Sequence, residues 1–424
     1  MTVLRLGIAK VDITPEYPIT LAGFAHRSGT FTNVAHPLNA KIFAFAHEEQ
    51  TVLLISADLI WWGPASIERL QAECKRQWGL APMHVLFHAT HTHSGPQVSD
   101  QFVPSLGTFS GNYVSWMETR VLQGVANAMA NMEPVSVEMG NGAWYEGIHR
   151  RKIKDGVCIM APNPDGPNDP TVTVVHFRTT KGQTKGVLVH ATCHPTTTDE
   201  NRISSEFPGV AMEQVETHLG SGVIAAYLQG FCGDVRPALR EGDAFVRGTD
   251  GDVRRIGGSL AAEVIRILDS GEIAQVETGA FTVETQKVAL RVREIPEAET
   301  LNHAATESGV CSEWANLLIQ HPERLAPTVQ LQFTLVRLAD RLAFLAANAE
   351  MVVEYGLQIR QEFHNAVLPL GYTNGMIGYV PTARQIVEGG YEASESCAYF
   401  GLPSSFDEQI EIDITKAIEA FERG

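Results

Sequence analysis

No run of about twenty uninterrupted apolar residues occurs anywhere in the 424-residue chain, so no membrane-spanning helix is expected. The longest apolar stretch, Val52 to Trp62, is broken by Ser56 and Asp58. The opening Met1-Thr-Val-Leu-Arg-Leu-Gly-Ile-Ala-Lys10 lacks the apolar core of a secretion signal, which makes the cytoplasm the expected location. Cysteine is sparse: the six, at positions 74, 158, 193, 232, 311 and 397, show no C-x-x-C spacing. In a chain without a signal they read as reduced thiols rather than disulfides. Positive charge is scarce too, 32 Lys and Arg against 49 Asp and Glu giving a net charge of −17. That balance repels a phosphate backbone, so nucleic acid is excluded as a partner and an anionic membrane surface is disfavoured. There is no internal repeat, low-complexity tract or evident linker, and a single domain over residues 1–424 is expected. A hydrophobic content of 44% and a charged content of 19% fit a soluble globular protein with ample length for a large core.

The segments that are present alternate between β-leaning and helical. Leu4 to Ile13 reads as a strand ending at Thr14-Pro15, and Ala40–Ala46 with Thr51–Ala57 reads as a hairpin. Pro64 to Trp78 carries helical spacing through Ile67, Leu70, Cys74 and Trp78, and a long amphipathic helix is predicted over Asn112 to Met132. Strands are predicted at Thr171–Arg178, Gly186–Ala191 and Val223–Gln229, and helices at Val210–Leu219 and Asp252–Leu268. Val329–Arg337 with Arg341–Ala347 reads as a second hairpin, and Glu350 as the opening of a helix reaching about Phe363. Gly147 to Pro170, rich in Gly, Pro, Asn and Asp, reads as one long loop. Alternation interrupted by hairpins points to an α/β (mixed α+β) fold, one large domain on mixed β-sheets with flanking helices.

Chemistry-bearing residues recur in one pattern, an apolar run ending in His, Asp or Glu before a turn. The instances are Ser56-Ala-Asp58, His91-Thr-His93-Ser-Gly-Pro, His190-Ala-Thr-Cys-His194-Pro, Cys232-Gly-Asp234-Val-Arg-Pro and Asn348-Ala-Glu350. Reactive groups on loops at the ends of several strands are how sheet-based enzymes assemble a site. Within His88-Ala-Thr-His91-Thr-His93, His91 and His93 point to one side if extended geometry persists through Thr92. Two imidazoles so placed suit a metal ligand with a partner, or a pair of ligands. His88 and His176, taken singly, read as structural, and of His190 and His194 only the latter, beside Pro195, is expected to reach a site.

Taken together, these motifs resemble the catalytic domain of the neutral/alkaline (non-lysosomal) ceramidase family. They are His91-Thr-His-Ser-Gly-Pro96, His194-Pro-Thr196 with Ser205-Glu-Phe-Pro-Gly209, Gly233-Asp-Val-x-Pro237, and Gly378-Tyr-Val-Pro-Thr382 with Tyr391-Glu392. Ile13-Thr-Pro15 and Ala22-Gly-Phe24 match the family's opening pattern, and the likeness runs from about residue 5 to 403. The resemblance implies a zinc amidase that cleaves an N-acyl bond, with His91, His194, Glu350 and Tyr379 as zinc ligands. It makes His93 the proton-transferring neighbour of a zinc-bound water, and Tyr391 a contact to the acyl group or oxyanion. Arg150 is matched to the family's substrate-facing arginine, with Arg151 as the alternative. Asp58 and Asp234 are candidates for orienting the ligand histidines or for capping loops.

Two departures from the family pattern matter. Where members carry a serine in G-D-V-S-P this chain has Arg236, which rules out an acyl-enzyme at that residue and, if it faces inward, favours an anionic or polar substrate. The chain also stops soon after Tyr391, so it is expected to lack the family's C-terminal immunoglobulin-like domain and its lipid-interface function. The expected substrate is therefore a smaller soluble N-acyl compound. Hydrolysis of an ester or lactone, or a non-catalytic zinc-containing binding role, are the alternatives.

Overall fold

Near-continuous apolar runs, the mark of strands covered on both faces, build the centre of the molecule. The computed structural model describes residues 3–422; residues 1, 2, 423 and 424, the ends of the expected domain span, lie outside them. Strands β1 (Arg5–Asp12), β2 (Asn39–His47) and β3 (Gln50–Ala57) form an antiparallel meander in which Ala46 faces Thr51 across the predicted hairpin. Helix α1 (Pro64–Trp78) then crosses over to β4 (Val85–Ala89), which pairs parallel with β3. Helix α2 (Gly111–Ala130) lies against β1 so closely that a Cβ on Gly7 would overlap the Ala128 carbonyl. Next come β5 (Glu133–Ala143), β6 (Gly147–Lys154), β7 (Val157–Asn163), β8 (Thr171–Thr179) and β9 (Thr184–Ala191). Helix α3 (Glu206–Leu219), β10 (Ile224–Gln229), β11 (Val235–Pro237) and α4 (Asp250–Asp269) complete the first half.

The main sheet runs β10-β9-β8-β5-β1-β2-β3-β4, with Ala274–Val276 added beside β5. Its parallel pairs are β3/β4 and β9/β10, so the sheet is mixed, as expected. A second sheet, ordered Thr278–Arg291, Thr328–Ala339, Leu342–Ala347 and Val367–Leu370, covers one face of the first. Strand periodicity decides which side chains meet it. Phe43, Phe45, Leu54 and Phe177 join Val336, Phe344 and Leu368 of the second sheet in one buried cluster. Their neighbours Ile42, Ala44 and Leu53 point the other way, to the cluster containing Leu70 of α1 and Val121 of α2. Val187, Val189, Ala225 and Tyr227 likewise pack under α3 and α4. The six cysteines are all free, five of them buried. Among the described residues no helix is long and apolar enough to cross a membrane.

Two elements differ from expectation. Residues 147–163 of the expected loop are the hairpin β6/β7, to which β11 is added as a third strand. Its turn is Asp155-Gly156, both in the left-handed region (φ 52° and 79°), the conformation a two-residue hairpin turn demands; the Asp-Gly signal was outweighed by the Gly/Pro-rich segment that follows it. Glu350 does not open a helix. The helix starts at Val353, and Glu350-Met351 instead forms a two-residue parallel bridge with Tyr379-Val380. Val352, extended at φ −73° and ψ 155°, separates the two.

His88 is a core residue, as expected: Gln229 N donates to its Nε2 (2.9 Å) and its Nδ1 lies 2.8 Å from Thr373 Oγ1. Burial, and then His190, lowers its pKa from 6.5 to about 3. The folded ring therefore stays neutral where the unfolded one would be protonated. Its contribution to stability is intact above pH 6.5 and is lost progressively down to about pH 3. Going from pH 7 to pH 5 should remove roughly 2 kcal/mol through this residue. Urea unfolding at the two pH values checks it, since His88→Gln should lose visibly less stability over that interval than the parent; an equal loss in both refutes the assignment.

Candidate active site

The sheet curls until its two ends meet. Ser56 Oγ donates to Tyr227 O (2.7 Å), and Gln229 N to His88 Nε2, joining β10 to the β3/β4 edge. The loops that leave β4 and β9 are thereby brought side by side. His91 is not extended: β4 ends at Ala89, and His91 adopts φ 68°. The expectation that an extended backbone aims His91 and His93 together is thus corrected. A left-handed residue, held by His91 N to Leu59 O (2.9 Å), turns the chain so that both rings still reach the same point.

Each ring is oriented by a backbone carbonyl. His91 Nδ1 donates to Ile60 O (2.7 Å), His194 Nδ1 to Cys232 O (2.9 Å) and His93 Nδ1 to Gly23 O (3.2 Å). A carbonyl only accepts, so each Nδ1 carries the proton and, in a neutral ring, each Nε2 presents a bare lone pair. Those three nitrogens converge: His91 Nε2 lies 3.0 Å from His194 Nε2 and 3.2 Å from His93 Nε2. Glu350 Oε1 joins them at 2.8 Å from His194 Nε2 and 3.3 Å from His91 Nε2, and has no hydrogen-bond donor of its own. Burial lowers His194 to about 4 and, with His91 and His194 adjacent, holds His93 well below the ordinary histidine range.

Four buried acceptors facing one another with no proton between them are the complement of a cation. Two ligands about 2.05 Å from a tetrahedral zinc stand roughly 3.3 Å apart, close to the spacings observed. His91, His93 and His194 alone form a group able to hold a metal, their ligand atoms lying within 4.8 Å of one another. The donor set therefore fits zinc.

The other expected residues gather around this point. Tyr379 is placed by its backbone bridge to Glu350, and its hydroxyl accepts from Arg150 Nη2 (3.0 Å). Burial pushes its phenol well above the usual range, against the pull of Arg150. Arg150 is fixed through Nε to Glu392 Oε1 (2.7 Å), and its guanidinium lies 5.6 Å from the ring centre of Tyr391. These groups line a cavity of about 210 Å³ with His93, His194 and Arg236. Arg151 does not line it, being spent on Glu392 (2.7 Å) and Glu388 (3.3 Å). His190 stays in the core, Nε2 to Pro369 O (2.8 Å).

Asp58 and Asp234 turn out to cap loops rather than orient the site histidines. Asp58 Oδ2 accepts from Asn39 N (2.9 Å). Asp234 accepts from Val353 N (2.9 Å) and Gln385 Nε2 (2.8 Å), and faces His149 Nε2 at 3.1 Å. Its carbonyl receives Arg150 N (2.8 Å). Sequence reasoning missed Tyr372, whose ring stacks on His91 with centroids 3.8 Å apart while its hydroxyl lies 3.1 Å from Cys232 Sγ. No local signal marks that residue, because the contact joins positions 281 apart in the chain (372 − 91). The arginine pair Arg236 and Arg247 also lines the cavity. Burial, then Arg247 and Arg150, lowers Arg236 to about 9, which leaves it a cation at neutral pH.

The profile of the neutral/alkaline non-lysosomal ceramidase family, N-terminal region, matches residues 4–254. No curated protein sequence gives a significant match. Among solved structures, the neutral ceramidase from Pseudomonas aeruginosa superposes with a TM-score of 0.77 at 20% identity, covering 99% of this chain and 74% of that one. A ceramidase complexed with C2 superposes at 0.76 and 18% identity, covering 100% and 76%.

Elemental analysis of the purified chain should find about one zinc per molecule, and His194→Ala should lose it. Full metal retention in that variant would refute the centre described above.

Proposed function

The chain belongs to the neutral/alkaline non-lysosomal ceramidase family, and from that premise we propose that it is a zinc-dependent hydrolase cleaving an N-acyl bond in a soluble substrate smaller than ceramide. The observation that carries this reading is the convergence of three bare Nε2 atoms and the Glu350 carboxylate on one buried point. His91, His194, Glu350 and Tyr379 would hold the metal. When bound, zinc supplies Lewis acidity, lowering the pKa of water and polarising a carbonyl.

The remaining steps belong to the chain's own groups. His93, neutral and hydrogen-bonded through Nδ1 to Gly23 O, has its Nε2 free to take a proton from water and return it to the leaving amine. Arg150 is held by Glu392 and Tyr379, so it presents a preorganised cation to the oxyanion of the tetrahedral intermediate, with Tyr391 beside it. Arg236 cannot serve as the nucleophile that a serine would be. The cavity of about 210 Å³ is below the ~300–1,000 Å³ usual for drug-sized ligands, which supports a small substrate.

The nitrogen spacings admit His93 as a ligand as well as a proton carrier, and one variant separates the roles. His93→Ala should keep the metal and lose on the order of a hundredfold or more in turnover. Loss of the metal instead would make His93 a ligand, and full activity would remove it from the chemistry. Ceramide, short N-acyl amides, and matched esters and lactones should be assayed together; fastest turnover of the short amides is expected. Hydrolysis of none of them, with zinc bound, would leave a binding protein.

A further inference from the structure

We infer that Arg236, with Arg247 beside it, forms a carboxylate subsite in the cavity, so that the preferred substrates are acidic N-acyl compounds. The inference rests on the hydrolase reading for the word substrate, while the anion site stands on its own geometry. Arg236 sits on β11, paired with Ile148 of β6, and its guanidinium lies 4.4 Å from the Phe245 ring centre. It is 6% exposed and lines the same cavity as His93, His194 and Arg150. Among the described residues its guanidinium has no ion pair and no hydrogen bond, and its buried Nε has no partner.

The other cations nearby are already engaged. Arg150 is paired with Glu392 at 2.7 Å. Arg247 reaches Asp199 at 3.5 Å, a carboxylate shared with His26 at 2.9 Å. Arg27 donates to His93 O at 2.8 Å. Of the arginines that line the cavity, Arg236 is the one without an acceptor; Arg27, outside the lining, also leaves its Nε and Nη2 unpartnered. The lining includes three arginines and no Asp or Glu, an inversion of the chain's overall −17.

A buried guanidinium without an acceptor is costly, and the cost is recovered when an anion enters. The planar fork of arginine matches a carboxylate in bidentate fashion. Because Asp199 already offsets Arg247, the free capacity is about one charge. That suits a monoanionic carboxylate better than a dianionic phosphate. Arg236 thus serves selection of the substrate.

The test is calorimetric titration of the zinc-loaded full chain with N-acetylglycine and its neutral counterpart N-acetylglycinamide. The acid should bind tighter by roughly 10- to 100-fold, and this preference should collapse toward unity in Arg236→Gln and persist in part in Arg236→Lys. Carboxylate held by the metal alone would bind parent and Arg236→Gln alike, and that result overturns the subsite. If Arg236→Gln fails to fold, equal affinity of the parent for acid and amide overturns it just as well. Inorganic phosphate displacing N-acetylglycine at lower concentration than acetate does would overturn the carboxylate assignment. Hydrolysis of the same pair is followed separately. Arg236-dependent binding without turnover keeps the subsite and removes the hydrolase reading; equal turnover of acid and amide with Arg236-independent binding does the reverse.

Discussion

Everything around the site depends on one electrostatic constraint. Three imidazole nitrogens and a carboxylate oxygen, all acceptors, are pressed together in a buried place, each 2.8 to 3.3 Å from at least one other. Mutual repulsion of lone pairs would drive them apart unless a cation sat among them and unless the scaffold held them by other means. The scaffold does hold them. Backbone carbonyls of Ile60, Cys232 and Gly23 fix all three tautomers, Tyr372 stacks on His91, and the Tyr379 bridge anchors Glu350. Because the orienting groups are carbonyls, they set the ring directions without bringing a further negative charge beside this point.

The second layer keeps the arginines apart and aimed. Glu392 binds Arg150 on one oxygen and Arg151 on the other, so one carboxylate separates the cation that faces the cavity from the one that braces residues 385–389. Asp234 ties β11 to the helix Val353–Glu362 and to Gln385, while its backbone positions Arg150. Burial alone would raise the Asp234 pKa; its hydrogen bonds outweigh that and keep it ionised. Arg236 stands outside this network. Of the three arginines that line the cavity it is the one without a carboxylate partner, a capacity open to an anion that arrives from solution.

Local patterns were legible where one periodicity dominated. The hairpin β2/β3, helix α1 and the strands β8 to β10 follow from alternating or helical apolar spacing, and the mixed sheet from hairpins set among crossovers. The hairpin at 147–163 was hidden because Gly and Pro downstream overrode an Asp-Gly turn. Glu350 was misplaced because an acidic residue a few positions before a helix resembles a first-turn residue until the pairing with Tyr379 is known.

Residue identity alone carries the chemical inventory and the family: a histidine cluster before a Gly-Pro turn, a distant His-Pro, and Arg236 in Gly233-Asp-Val-Arg-Pro237. It also determined the strand edges on which these groups ride, because burial of apolar residues enforces strand period and length. Which nitrogens meet is a matter of long-range packing. That depends on the curl joining β10 to the β3/β4 edge, on a left-handed His91 that no propensity predicts, and on partners more than a hundred residues away. The same closure decided that Arg236 points into the cavity without a counter-charge. Pairing across such separations is set by packing of whole sheets, and no local stretch of sequence contains it.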